Sequence, residues 1–451
     1  MKSAIVLFNR DLRVHDHPAL RSAERAAERV VPLFVLDDDI LEGEFARPNR
    51  IHFLVDCLRD LRNELERRGA TLFVRRGDVV EETMRLIQES AAGAVYLSED
   101  YSSFAVRRQS RLARACDRMG ARLIACPGVT VLPPGDIAPS SGDHFRVFTP
   151  YWRRWSPAEK RSPLGAPRSL LVPSGIAKGK IPSPAALVAG NQSPELPTGG
   201  EKEARKRLGR WLRSDLASYE EGHDDLAGNT TSRLSPYLHF GCISPTEVVA
   251  RAAVREGAGP FIRQICWRDF HHQVLAAFPG LPRTDYRTRS DRWHHDTEGF
   301  QAWKEGRTGI PIVDAGMRQL VTEGYMHNRA RLITASFLTK DLYIDWRLGA
   351  RHFWDLLVDG DIANNSGNWQ WVAGTGNDTR PNRMFNPIRQ AHRFDPNGDY
   401  VRRYVAELSG VDGRAAHEPW KLDVSIRKAI DYPEPIVDHA EAVQRFRANR
   451  G

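Results

Sequence analysis

The feature that most restricts what this chain can fold into is a change of hydrophobic rhythm across an irregular, proline-studded middle. Up to residue 128, short apolar and β-branched runs (Ala4–Phe8, Val30–Leu36, Thr71–Val74, Ala94–Leu97 and Arg122–Ala125) alternate with amphipathic stretches such as Asn49–Arg68 and Val79–Ala91. The first kind reads as strand and the second, with its helical spacing of apolar residues, as helix. Strands joined by helical crossovers run parallel and need cover on both faces. Residues 1–128 are therefore expected to form an α/β domain around a five-stranded parallel, doubly wound sheet. Thirteen prolines then fall between residues 127 and 197, and no period survives among them. Residues 129–200 read as a long inter-domain linker packed over the surface, with Val147–Trp152 as an anchor. From residue 201 the signals are helical: Glu201–Leu212, Pro245–Glu256, Gly259–Phe278, Ile310–Glu323, His327–Tyr343 and Ala350–Leu357. Residues 201–451 are expected to form an all-α domain.

Composition narrows the function. At 451 residues, 41% hydrophobic and 27% charged, the chain has globular composition and room for two or three domains. No apolar run approaches the ~20 residues of a membrane helix, and Ala4–Phe8 is too short for a signal peptide. A cytoplasmic protein that acts as a monomer is expected. The five cysteines (Cys57, Cys116, Cys126, Cys242, Cys266) lack zinc-ligand spacing and read as buried thiols. The adjacent pairs His271-His272 and His294-His295 point in different directions on a helix, and no metal is assigned. A net charge of +8 fits a polyanionic partner, although Arg-rich composition alone gives the same excess. Neither G-x-G-x-x-G nor a P-loop is present, which argues against a standard NAD or ATP binder.

Four polar clusters in the helical half carry chemistry. In Gly228–Leu238, three hydroxyl residues, an arginine and a proline open a helix; this suits an anion, but alone it is an ordinary helix start. In Gln264-Ile265-Cys266-Trp267-Arg268, an amide and an indole share a face beside a guanidinium, a set that stacks on a base and reads its edge. In Met326–Phe337, Asn328 and Arg331 share one helical face and Arg329 points elsewhere. The most specific is Asp359-Gly360-Asp361-Ile362-Ala363-Asn364-Asn365-Ser366-Gly367-Asn368-Trp369-Gln370-Trp371. It is too polar for a core and too aromatic for a loop, and a buried polar ligand explains it better than packing does.

These clusters, in this order, resemble the flavin domain of the photolyase/cryptochrome family. Phe8–Leu20, Trp303–Arg318 and Phe385-Asn386-Pro387 are similar to further motifs of that family, so the likeness spans nearly the whole chain. It is closest to bacterial class I enzymes acting on cyclobutane pyrimidine dimers. The resemblance implies an antenna α/β domain, a crossing linker and an all-α domain holding FAD. It implies that Tyr219 and Thr231, Ser232, Arg233, Leu234 and Ser235 grip the FAD phosphates. Arg268, Asn328, Arg331, Asp359, Gly360 and Asp361 would contact the flavin or adenine parts, with Asn365 facing the reactive N5. An amide there carries no charge to oppose an anionic reduced flavin. Trp293, Trp346 and Trp369 match a three-tryptophan relay that reduces the flavin after light absorption. Trp267 and Trp371 match aromatic walls for a flipped-out dimer, with Gln264 and Asn328 in the same pocket. Arg268, Arg329 and Arg383 resemble a phosphate-holding rim for DNA.

The chain also departs from the pattern. Cyclobutane-dimer enzymes usually carry glutamate at Gln264 and methionine at Leu332. The (6-4) enzymes share the glutamine but pair it with histidine where Asn328 stands. The segment Asn377–Arg383 has an unusual form. Folate-binding relatives place a glutamate near the position of Ala105, and its absence here favours a deazaflavin antenna, or none, over folate. Light-driven repair of cyclobutane dimers is therefore expected, with a (6-4) photolyase or a cryptochrome-type photoreceptor as alternatives. The chain ends at Gly451 without a long polar signalling tail, which weighs against the photoreceptor.

Overall fold

The computed structural model describes residues 1–289 and 291–449; Ser290, Arg450 and Gly451, all three within the expected helical domain, lie outside the described residues. The order of elements follows the expected rhythm. Strands β1 (Ser3–Leu7), β2 (Arg29–Asp37), β3 (Phe73–Gly77), β4 (Ala92–Ser98) and β5 (Arg122–Cys126) form one sheet in the order β3-β2-β1-β4-β5. Every pairing is parallel. Helices Pro18–Ala26, Pro48–Glu66, Val79–Ser90 and Ser103–Arg118 make the crossovers. The linker contains the α-helix Phe148–Trp155, where an anchor was expected, and a short 3-10 helix, Pro184–Ala186; among the described residues, regular structure after residue 200 is helical. No helix among the described residues is long and apolar enough to cross a membrane.

Compactness divides this sequence into two units. The first comprises Met1–Gln192, Pro197–Ala217 and Ser232–Pro279; the second comprises Ser193–Leu196, Ser218–Thr231 and Gly280–Gly451. In the first unit, Ile5, Leu7, Val31, Leu33, Val95 and Leu97 from the strands pack with Leu86 and Leu112 from the helices. Helical residues from beyond the linker belong to this unit through polar ties. Glu201 accepts the backbone N–H groups of Val14 and His15 at 2.7 and 3.0 Å. Gly241, at φ +69°, lies so near Arg10 that a Cβ would sit 2.0 Å from its carbonyl oxygen. A side chain there would push the segment away.

Helix Ala258–Ala277 binds the linker with its buried face. Asp269 accepts the N–H groups of Val131 (3.0 Å) and Leu132 (3.1 Å) and the indole N–H of Trp155 (3.0 Å). Gln273 pairs with both backbone groups of Phe145. Burial pushes Asp269 up to about 6, against the pull of Arg268 and its hydrogen bonds.

The second unit packs around Trp303, Met317, Leu320, Ile333, Leu338, Trp346, Phe353, Trp369 and Tyr400. The motif Trp303–Arg318 serves this core. Trp303 donates its indole N–H to the Thr334 carbonyl at 3.0 Å, and Gly306 closes its helix in the left-handed region, at φ +63°. Buried Asp314 accepts from Thr308 N and Oγ1 and from Gly309 N.

Candidate functional site

The most specific sequence cluster lies on two packed helices of the second unit, Trp346–Leu356 and Ile362–Ala373. On the first, Trp346, Gly349, Ala350 and Phe353 recur at helical spacing and are all buried. On the second, Asn365 and Trp369 lie four apart on one face. The two faces meet: Asn365 Nδ2 donates to the Ala350 carbonyl at 3.0 Å, and Trp369 packs edge-on against Phe353 at 4.9 Å. A Cβ on Gly349 would sit 2.3 Å from the Trp369 ring, so this approach requires glycine. The bond to Ala350 also fixes the amide, leaving Oδ1 of Asn365 as its acceptor end.

The turn before Ile362 holds two carboxylates. Asp361 caps the helix, accepting Asn364 N–H at 2.8 Å. Asp359 is buried; its Oδ2 accepts Arg331 Nη2 at 2.8 Å, while its Oδ1 is buried without a donor among the described residues. Arg331 also donates Nε to the Met326 carbonyl at 2.8 Å. Burial opposes its charge, but the Asp359 carboxylate outweighs burial and raises the guanidinium pKa. Arg331 follows Asn328 by one helical turn, and Asn328, the first residue of helix Asn328–Ser336, is exposed.

The hydroxyl loop has an unusual backbone. Asn229 and Arg233 both adopt left-handed φ, near +50°, which costs non-glycine residues of order 1 kcal/mol or more. Thr230, Thr231 and Ser232 lie between them, and Thr230 Oγ1 donates to the Gly222 carbonyl at 2.9 Å. Leu234 is buried and Ser235 exposed at the start of the short helix Ser235–His239. Tyr219 is buried, and burial raises its pKa.

The three tryptophans expected to form a relay, Trp293, Trp346 and Trp369, all lie in the second unit. Trp346 and Trp369 are buried, and Trp293 is half-buried against Tyr343, centroids 5.1 Å apart. Trp371 is half-buried, with the Arg383 guanidinium 5.6 Å from its ring centroid. Arg383 is exposed, in a loop pinned by Lys340 Nζ to the Pro381 carbonyl at 3.1 Å.

In the first unit, Gln264 is exposed and Trp267 half-buried, its indole stacked on Phe148 at 3.7 Å and 7°. The linker helix thus fixes this tryptophan, a role the sequence did not disclose.

Two expected DNA contacts are corrected. Arg268 is buried and donates to the Val129 and Leu238 carbonyls, so it offers no charge to a DNA backbone. Arg329 donates Nε to Asp224 Oδ1 at 3.0 Å and lies 4.3 Å from the Phe394 ring centroid. It is a neutralised, stacked arginine rather than a free rim cation. Sequence reasoning also missed Gly349 and the Ala350 carbonyl, which the spacing Trp346-Gly349-Ala350-Phe353 would have exposed.

The parallel α/β sheet, the helical unit and the half-satisfied Asp359 beside Arg331 are the features set against known proteins. The comparisons name the family. A DNA photolyase family model matches residues 4–168, and one for the FAD binding domain of DNA photolyase matches residues 261–450. The chain is 53% identical to a deoxyribodipyrimidine photo-lyase of Streptomyces griseus over the whole of both chains. It is similar to the crystal structure of a class III photolyase from Agrobacterium tumefaciens, with TM-score 0.93, 34% identity and coverage of 100% and 97%. It is also similar to an archaeal photolyase from Sulfolobus tokodaii solved with two FAD molecules, with TM-score 0.88, 32% identity and 99% coverage of both. The chain belongs to the photolyase/cryptochrome family.

FAD suits the residues present. Its hydroxyls and ring N–H would be donors for the buried Asp359 Oδ1, beside the Arg331–Asp359 ion pair.

Proposed function

We propose that this protein is a deoxyribodipyrimidine photo-lyase that splits cyclobutane pyrimidine dimers in DNA with light. The observation that carries the reading is its identity to the Streptomyces griseus photo-lyase along the full length of both chains. Bound FAD would supply light absorption and one-electron chemistry. The chain's own residues do the rest. Arg331, Asp359 and Asp361 hold and orient the flavin, with Asn328, Gly360 and Arg268 as further contacts, while Tyr219 and Thr231–Ser235 receive the phosphates. Asn365, its nitrogen tied to Ala350, presents an uncharged acceptor to a ring N–H. Trp369, Trp346 and Trp293 pass electrons inward, and Gln264, Trp267 and Trp371 are contacts of a flipped-out dimer. Arg383 meets the DNA backbone.

Residues 1–128, 129–200 and 201–451 are the antenna, linker and catalytic regions of this reading. Open doubly wound sheets bind ligands beyond the carboxyl ends of their strands. There Arg10 pairs with Asp100 at 3.4 Å, and the charges of Asp100 and Asp37 act on Arg108. Ala105, buried in the adjoining helix, supports a deazaflavin rather than a folate there. Damaged DNA is the partner, bound by a monomer in the cytoplasm at the nucleoid.

The test is light-dependent repair by purified protein, assayed separately on cyclobutane and (6-4) lesions. Repair of the first with negligible repair of the second is expected. Strong (6-4) repair, or none of either lesion, would overturn the reading.

A further inference from the structure

Trp346 is fully buried, yet charge surrounds it. Its indole Nε1–H donates to Asp285 Oδ1 at 2.9 Å. The Arg347 guanidinium lies 4.9 Å from its ring centroid and donates Nη2 to the same Asp285 oxygen at 2.7 Å. The remaining Arg347 donors are held as well. Nε donates to the Arg283 carbonyl at 2.7 Å, and Nη1 to Asp345 Oδ1 at 3.0 Å. Asp345 in turn caps the helix that Trp346 begins, accepting Arg347 N–H at 2.9 Å. Packing alone does not call for this set. A buried indole needs one acceptor, and for Trp303 a backbone carbonyl suffices. A carboxylate in the same role costs more desolvation.

We propose that Asp285 is a positioning residue of the electron relay, holding a negative charge at the Trp346 N–H that lowers the cost of oxidising this indole. The inference rests on the reading of Trp346 as the middle relay step. In that step Trp346 gives one electron to oxidised Trp369 and regains one from Trp293; its N–H stays protonated, and no covalent bond changes. While the ring is positive, the carboxylate at its edge attracts it and the guanidinium over its face repels it. Asp285 is the better shielded of the two, 14% exposed against 34% for Arg347, so the carboxylate's effect is the less screened. Asp285 therefore makes Trp346 oxidisable. Arg347 fixes the carboxylate and limits the bias, so the positive charge moves on to Trp293.

The variants Asp285→Asn and Arg347→Met separate this from a packing role. Asn keeps an oxygen acceptor and removes the charge. In flash photolysis of the flavin-loaded protein, Asp285→Asn is expected to lower the yield of tryptophan radical at least about tenfold. Arg347→Met is expected to retain the yield and prolong the radical, because Trp346 now holds the positive charge more tightly. A role in packing alone would move both variants in the same direction, and that result would overturn the inference. A dark measurement checks the bond: the Trp346 indole N–H should stay protected from hydrogen exchange in Asp285→Asn. Loss of protection there would attribute the defect to a broken hydrogen bond and overturn the role of charge. Normal radical yield in Asp285→Asn, with Trp346→Phe abolishing it, would refute the inference alone. Normal yield in both would overturn the relay reading as well.

Discussion

Asp269 in the first unit and Asp359 in the second are both buried carboxylates beside an arginine, in motifs that look equally functional on paper. Asp269 takes N–H donors from Val131, Leu132 and Trp155, so the protein satisfies it and it binds the linker to its helix. Asp359 has one oxygen paired with Arg331 and one with no donor among the described residues. The first carboxylate is a fastening, and the second keeps an open acceptor, which is why the proposed reading gives it to the flavin. Counting donors, rather than reading residue types, separates scaffold from site.

The largest expected effect is on the scaffold side. Asp269→Ala leaves buried N–H groups unpaired and should destabilise the first unit by about 3 kcal/mol or more. Chemical denaturation measures the loss, and a change below about 1 kcal/mol would erase the distinction drawn above.

The same carboxylate gives a pH dependence. Its folded pKa is raised to about 6 by burial, so the folded state holds its proton where the unfolded chain has released it. Its contribution is full below the ordinary aspartate range and is lost as pH rises through about 6, at most about 3 kcal/mol for a shift of two units. Asp314, also raised to about 6 by burial, acts with the same sign. Asp269→Asn should flatten the dependence of stability between pH 4 and 6 (about one transition), read by denaturation across that range.

On the site side, Asp359→Asn should fold normally but retain flavin at least about tenfold less tightly, through a lost charge-assisted bond. Flavin absorbance against protein after dialysis reads this, and full retention would mean that Arg331 and Asp359 serve packing.

A smaller effect sorts the arginines. Arg383→Ala should weaken damaged and undamaged DNA alike and lower the salt slope by about one unit. Arg329→Ala, already neutralised by Asp224, should leave the slope unchanged; titrations at several salt concentrations decide.

The smallest change in binding is expected for Gln264→Glu. It should raise dimer repair per absorbed photon with little change in DNA affinity, since the residue is exposed. Loss of repair would show that the amide itself is required.

Much of the fold was legible because buried strands and crossover helices impose different periods. The misses have local causes. The expected strand Thr71–Val74 lies at Phe73–Gly77, since β3 is at a sheet edge and tolerates Arg75 and Arg76. The stretch His327–Tyr343 reads as one helix but widens into a π turn over Phe337–Asp341, which residue spacing does not record. Helix Trp346–Leu356 starts one turn before Ala350 because Asp345 caps it. At the candidate site, the cluster holding Asp359 and Asn365 stood out in the sequence because polar and aromatic residues rarely crowd together without a ligand, and the structure packs its two helices together. The fates of Arg268 and Arg329 were not visible. Their partners, Val129 and Asp224, are over a hundred residues distant, and only the fold brings them near.

Gly349 carries a consequence beyond packing. Electron tunnelling between aromatic rings falls off exponentially with distance, so the relay proposed above would be only as good as the spacing of its supports. Here a single hydrogen atom, where any other residue would carry carbon, sets how closely the Trp369 ring approaches the helix bearing Trp346. The closeness of the ring to that helix is thus written into the backbone, at a position that tolerates no side chain.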